Sequence, residues 1–131
     1  MIVDSSALVA IVKGAADAET LLESLLTVPR PAISAATLVE VSIVIDGTHD
    51  PVRVTRFEEL LASLELDVAP LTAAQATIAR QAYRDYGRDS GHPARLNLGD
   101  CFSYALAKDR GEPLLYIGDD FARTDIASAS G

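Results

Sequence analysis

The chain has 131 residues, a length that suits one domain around one core, and its 49% apolar and 23% charged residues exclude a disordered tail or a long coiled coil. A net charge of −8 excludes a protein that grips nucleic acid by bulk electrostatics, since phosphate neutralisation needs clustered Lys and Arg. The single cysteine, Cys101, excludes an internal disulfide and a thiolate metal site, and is expected in the core.

The chain opens on a short apolar run, Met1 to Val3, stopped by Asp4. Ala7 to Val12 then reads as helix, with Asp4 or Ser5 placed to cap it. No apolar run reaches the roughly 18 to 20 residues that span a bilayer. Asp4 also stands where a signal peptide carries a basic residue, so a cytoplasmic protein is expected.

Residues 15 to 28 place Leu21, Leu22, Leu25 and Leu26 at helical spacing, and Pro29 and Pro31 close that helix. Ala32 to Ser34 reads as a second strand and Ala35 to Ile45 as a helix ending near Gly47. Pro51 to Leu66 follows as a helix with Phe57, Leu60, Leu61 and Leu64 inward, then a brief strand at Asp67 to Ala69. Thr72 and Gln75 fit a capping box opening a helix that runs to about Tyr86. Gly87 to Leu98 is polar and reads as a loop. Gly99 and Asp100 begin a helix over Cys101 to Asp109, ended by Gly111 and Pro113. Leu114 to Ile117 is a buried-type strand, and a last strand is expected near Thr124 to Ala127. Strands alternating with helices imply an α/β fold, a three-layer α/β/α sandwich with a short, mostly parallel sheet, as a single domain over residues 1–131.

In open parallel sheets the ligand crevice lies beyond the carboxyl ends of the strands. Asp4 ends the first strand, Asp119 and Asp120 follow Leu114 to Ile117 after one glycine, and Asp100 stands in the first turn of the helix leading into that strand. Glu40 interrupts an otherwise apolar stretch from Leu38 to Ile45, with no Lys or Arg within a helical turn. A carboxylate in such surroundings is costly unless protonated, paired or bound to a metal. Converging carboxylates without a base select a hard divalent cation with oxygen ligands, Mg²⁺ or Mn²⁺. Zinc is disfavoured because His49 and His92 lie in polar loop sequence and Cys101 is alone. The natural reaction of such a site is phosphodiester hydrolysis.

Each acid taken singly has a plain structural reading. Asp4 suits a helix cap, Asp100 a charge at a helix start, Asp119 and Asp120 a turn, and Glu40 a solvent-facing or ion-paired side chain. The joint pattern of all of them is what points to a site. Positive charge for an RNA substrate would be local, from Arg80, Arg84, Arg88, Arg95, Lys108, Arg110 and Arg123, residues that read equally as a solvated face. Ser6 stands where a haloacid-dehalogenase-type phosphatase carries a second Asp, and no Gly-rich phosphate loop occurs.

Taken in order, Met1-Ile2-Val3-Asp4-Ser5-Ser6-Ala7-Leu8, Glu40 in its apolar helix, Leu98-Gly99-Asp100-Cys101 and Gly118-Asp119-Asp120-Phe121 with Thr124-Asp125 resemble PIN-domain nucleases, specifically VapC-type toxins, over residues 1 to about 127. The resemblance implies a PIN-like fold and a metal-dependent endoribonuclease acting on tRNA or rRNA. It also implies inhibition by a VapB-type antitoxin whose tail covers the acidic site, and a homodimer. Asp4 and Asp100 match the principal metal ligands, Glu40 the third acid, and Ser6 a hydroxyl that orients the first Asp. The fourth acid departs from the family pattern, which often carries an acid three residues before the aromatic, here Gly118; Asp120 is the expected one, with Asp119 as substitute or second-metal ligand. The rival expectation is a non-catalytic PIN-like module that binds protein or RNA, its acids merely structural.

Overall fold

The computed structural model describes residues 1–130. In chain order it contains β1 (Ile2–Val3), α1 (Ser5–Lys13), α2 (Ala18–Leu26), β2 (Ala32–Ser34), α3 (Ala35–Asp46), α4 (Pro51–Leu64), β3 (Asp67–Ala69), α5 (Ala73–Tyr86), α6 (Leu98–Arg110) and β4 (Leu114–Leu115). A 3₁₀ turn over Phe121–Arg123 follows.

The strands form one four-stranded sheet in the order β3-β2-β1-β4, parallel throughout. Successive strand residues point to opposite faces. Ile2, Ala32 and Leu114 therefore enter one core with α5, α6 and Phe121, while Val3, Ile33 and Leu115 enter another with α1, α2, α3 and α4. These two cores on either side of the sheet make the three expected layers. The central strand β1 and its neighbour β4 are buried on both faces, which is why they read as apolar runs, while the edge strand β3 leaves Val68 exposed.

The strand order reverses at β1. Its chain leaves toward β2 on one side, and β4 returns on the other. The carboxyl ends of β1 and β4 therefore flank the crevice where parallel sheets bind ligands.

Local differences from the sequence expectations have local causes. β4 stops at Leu115 rather than Ile117, because the Ile117 N–H leaves the ladder and donates to Ser6 Oγ at 3.1 Å. No strand forms over residues 124–127. There Thr124 Oγ1 donates to Phe121 O and accepts from Ile126 N, local bonds that compete with a ladder. Pairing is confined to a parallel bridge between Leu114 and Ser128. Thr72 caps α5 as expected, accepting from Gln75 N. The Gln75 side chain does not return to the cap but donates to Asp109 Oδ2 at 3.2 Å, tying α5 to α6. α2 is shorter than residues 15 to 28, and Leu26 at its end is exposed. Leu98 begins α6 rather than ending the loop. Among the described residues, no helix is long and apolar enough to cross a membrane.

Candidate active site

Asp4 sits at the junction of β1 and α1 in extended conformation, the geometry of an N-cap, and its carboxylate accepts from Ser6 N. The cap reading is therefore correct as far as it goes. The side chain does more than cap, however. It is 1% exposed, and Oδ2 also accepts from Ser6 Oγ at 2.6 Å while Oδ1 accepts from Ser103 Oγ at 2.5 Å.

Asp100 stands in the first turn of α6 within a reciprocal capping box. Asn97 Oδ1 accepts from Asp100 N at 2.8 Å, and Asp100 Oδ2 accepts from Asn97 N at 3.0 Å. The box satisfies two orphan donors at the helix start and fixes the aspartate's direction.

Glu40, half-buried on α3, reaches across to α6. A Cβ built on Gly99 would stand 1.6 Å from Glu40 Oε2, so the carboxylate occupies the space a side chain there would fill. This explains a glycine inside a helix, a position where it is otherwise disfavoured.

Burial and neighbouring charge raise two of these acids. The pKa of Asp100 is pushed up to about 7, chiefly by burial and further by the charges of Asp4, Asp120 and Glu40, against the lowering effect of the Asn97 backbone bond. Burial also raises Glu40, and the nearby Asp4 charge adds to it, while a hydrogen bond from the Ser5 side chain offsets part of the rise. Asp100 thus feels the charges of Asp4, Asp120 and Glu40, and Glu40 feels that of Asp4. Asp120, exposed like Asp119 before it, adds its charge to the rise of Asp100. Among the described residues none of these acids forms an ion pair. Among the described residues, no three His, Cys, Asp or Glu side chains stand close enough together to hold a metal ion as they lie.

This donor set fits a hard divalent cation, being all oxygen and lacking any base to neutralise it. His92 is not aimed at the acids. Its Nδ1 accepts from Ala94 N, and its ring stands edge-on to Tyr86. Cys101 is buried, its thiol pushed up to about 11 by burial and the Asp100 charge, which leaves it inert as a nucleophile.

Of the candidate basic residues, Lys108 and Arg110 are committed to Asp125 and Asp67. Arg80, Arg84, Arg88 and Arg95 are exposed and form no ion pair among the described residues, and Arg123 Nη1 contacts Pro93 O at 3.4 Å. Arg88 and Arg95 lie on the loop that ends at Asn97, joined by the bond from Arg88 N to Leu96 O.

Sequence reasoning read Gly99 only as a helix start and a motif residue, and missed Asn97, Ser103 and Thr37. Gly99 and Asn97 carried a signal in the helix-start glycine and in the Asn-x-x-Asp spacing of a capping box. It also missed an open apolar groove beside Glu40 and Gly99, walled by Val39, Ile43, Val44, Leu98 and Phe102.

The PIN domain family profile matches residues 1–127. Ribonuclease VapC42 of Mycobacterium tuberculosis is 50% identical over 129 residues, covering 98% of each chain. Ribonuclease VapC28 of the same organism is 48% identical, covering 98% of this chain and 97% of the relative. Among solved structures, the sarcin-ricin-loop-cleaving toxin VapC20 of M. tuberculosis superposes with a TM-score of 0.73 at 19% identity, covering 96% of this chain and 95% of that one. A toxin–antitoxin complex from Klebsiella pneumoniae gives 0.68 at 22% identity, covering 92% and 89%. At those identities the two structures speak for the fold. The sequence relatives and the family profile, each spanning nearly the whole chain, speak for descent, and the chain belongs to the PIN domain family.

Proposed function

We propose that this chain is a cytoplasmic, single-domain endoribonuclease of the VapC type that hydrolyses RNA phosphodiester bonds with the help of a divalent cation, Mg²⁺ or Mn²⁺. The observation that supports the reading is that the charges of Asp4, Glu40 and Asp120 all act on Asp100, with no ion-pair partner for any of the four among the described residues. Near-full-length similarity to proteins named ribonucleases supports it.

Asp4 and Asp100 would hold the cation, with Glu40 and Asp120 completing the negative pocket and Asp119 at its exposed edge. When bound, the cation supplies positive charge for the attacked phosphate and acidifies water. The chain's own groups do the rest. Ser6 donates to Asp4 Oδ2 and accepts from Ile117 N, locking the first aspartate to the β4 side of the crevice. The Asn97 box holds Asp100 to the helix start. Arg88 and Arg95, on the loop that ends at Asn97, and Arg123, which touches that loop at Pro93 O, would meet RNA phosphates without pairing with the acids.

The apolar groove adjoining the acids suits an antitoxin tail, with apolar side chains in the groove and a cationic one toward the carboxylates. Its exposed Val39, Ile43 and Leu98 are otherwise expensive to leave in water. A homodimer belongs to the same proposal and is read by light scattering. The substrate is tRNA or rRNA.

The test incubates the purified chain with total tRNA and rRNA in Mg²⁺, Mn²⁺ or EDTA and maps new RNA ends. Discrete cleavage in Mg²⁺ or Mn²⁺, absent in EDTA and absent from the Asp4→Asn variant, is expected. A folded chain that cuts nothing with either cation would instead be a non-catalytic binding module.

A further inference from the structure

A second tier of side chains lies beside the acids. Ser103 comes one helical turn after Asp100 on α6, and Thr37 one turn before Glu40 on α3. Spacing of i, i+3 puts two side chains on one helix face, so each of these acids has a hydroxyl for a neighbour. Both hydroxyl residues are fully buried.

Ser103 Oγ donates to Asp4 Oδ1 at 2.5 Å, and Thr37 Oγ1 lies 3.3 Å from Ser103 Oγ. An ionised carboxylate only accepts, and a hydroxyl has one proton to give. With its proton committed to Asp4, Ser103 can only accept from Thr37. The order of donation is therefore fixed as Thr37 to Ser103 to Asp4. It joins the three elements that carry Glu40, Asp100 and Asp4. The short bond to the carboxylate is the strong member, and the longer hydroxyl contact supports it.

Counting acceptor sites on Asp4 sharpens the role. Oδ2 receives Ser6 N–H and Ser6 O–H, which fills its two lone pairs, and Oδ1 receives Ser103 alone. One lone pair on Oδ1 is left, and Ser103 decides where it points. We infer that Ser103, backed by Thr37, is a positioning residue that aims the remaining acceptor site of Asp4 at a divalent cation. The inference rests on the reading of Asp4 as a cation ligand.

The experiment follows free Mn²⁺ by electron paramagnetic resonance during titration of the intact chain, together with thermal melts of each variant. Wild type binds Mn²⁺, and Asp4→Asn largely loses it. Ser103→Ala binds roughly 10- to 100-fold more weakly, the usual effect of removing a group that orients a metal ligand. Ser103→Thr, which keeps the hydroxyl, recovers most of the affinity, and Thr37→Val weakens binding by less than Ser103→Ala does. If Ser103→Ala binds Mn²⁺ like wild type, whatever its melting temperature, the hydroxyl is structural only and the inference is wrong. It is equally wrong if a Ser103→Thr protein that melts like wild type recovers nothing. Should Ser103→Thr melt lower, Thr37→Val decides, and unchanged affinity there overturns the inference. Failure of the wild type itself to bind Mn²⁺ overturns the cation reading beneath it, a result distinct from the others.

Discussion

The carboxylate of Glu40 lies in the space that a side chain on Gly99 would occupy, with Oε2 1.6 Å from the position of its Cβ. Gly99→Ala therefore forces Glu40 to swing away. Because the displaced atoms are the end of a flexible side chain, the fold should hold, and the helix should gain up to about 1 kcal/mol from losing a glycine. Activity should move the other way, by about 100-fold if Glu40 shifts by an ångström or so. Melting temperature and RNA cleavage measured on the same preparation give the answer. A variant that is both as stable and as active as wild type would mean that Glu40 is idle.

Stability of the cation-free protein should depend on pH in the sense set by Asp100. Its folded pKa of about 7 lies above the ordinary 3.8, so between those values the native state holds a proton that the unfolded chain has released. The unfolding free energy must then fall as pH rises from about 4 to about 7, and level off above. Cation binding requires the ionised form, so stabilisation by Mn²⁺ should be slight at low pH and grow through neutrality. Melts in EDTA and in Mn²⁺ across this range check both trends. Equal Mn²⁺ stabilisation at every pH would place the ion elsewhere.

Arg95 is held at φ 54, in the left-handed region that favours glycine, between Ala94 and Leu96, both buried. Burial of its neighbours turns the guanidinium outward while the backbone bears strain of about 1 kcal/mol. Arg95→Gly should thus raise stability by up to that amount and yet weaken RNA binding. In the cleavage-dead Asp4→Asn background, the slope of log affinity against log salt should drop by about 1 for each RNA phosphate that the variant no longer neutralises. An unchanged slope would take Arg95 out of the RNA path.

Leu98 is 69% exposed at the first position of α6, on the wall of the apolar groove. Leu98→Ala keeps a good helix former there and should leave the free protein's melting temperature unchanged. Affinity for an antitoxin encoded beside this chain should fall about tenfold, the value of roughly 1.5 kcal/mol of apolar burial removed from the interface. Calorimetric titration reads it, and equal affinity would put the antitoxin on another face.

The candidate acids stand out in the sequence because each breaks its surroundings. Asp4 ends an apolar strand, Glu40 interrupts an apolar helix, and Asp100 opens a helix. The alternation of strands and helices was enough for the three layers, since β1 and β4, buried on both faces, leave continuous apolar runs. Ser103 and Thr37 were not legible. A hydroxyl inside a helix looks like any neutral residue, and only the approach of α3 and α6 to β1 gives it a partner. The end of β4 was misread for a similar reason, because Ile117 finds its acceptor in Ser6, 111 residues away. The groove escaped notice because Val39, Ile43 and Leu98 look like core residues in sequence, and it is their exposure that marks them.

If Asp4, Glu40, Asp100 and Asp120 share one divalent cation, a crystal soaked in Mn²⁺ will show it directly by anomalous scattering. The expected result is a peak within roughly 2.5 Å of carboxylate oxygens from both Asp4 and Asp100, lost in Asp4→Asn. Full Mn²⁺ occupancy elsewhere on the protein, with no peak among these carboxylates, would contradict it.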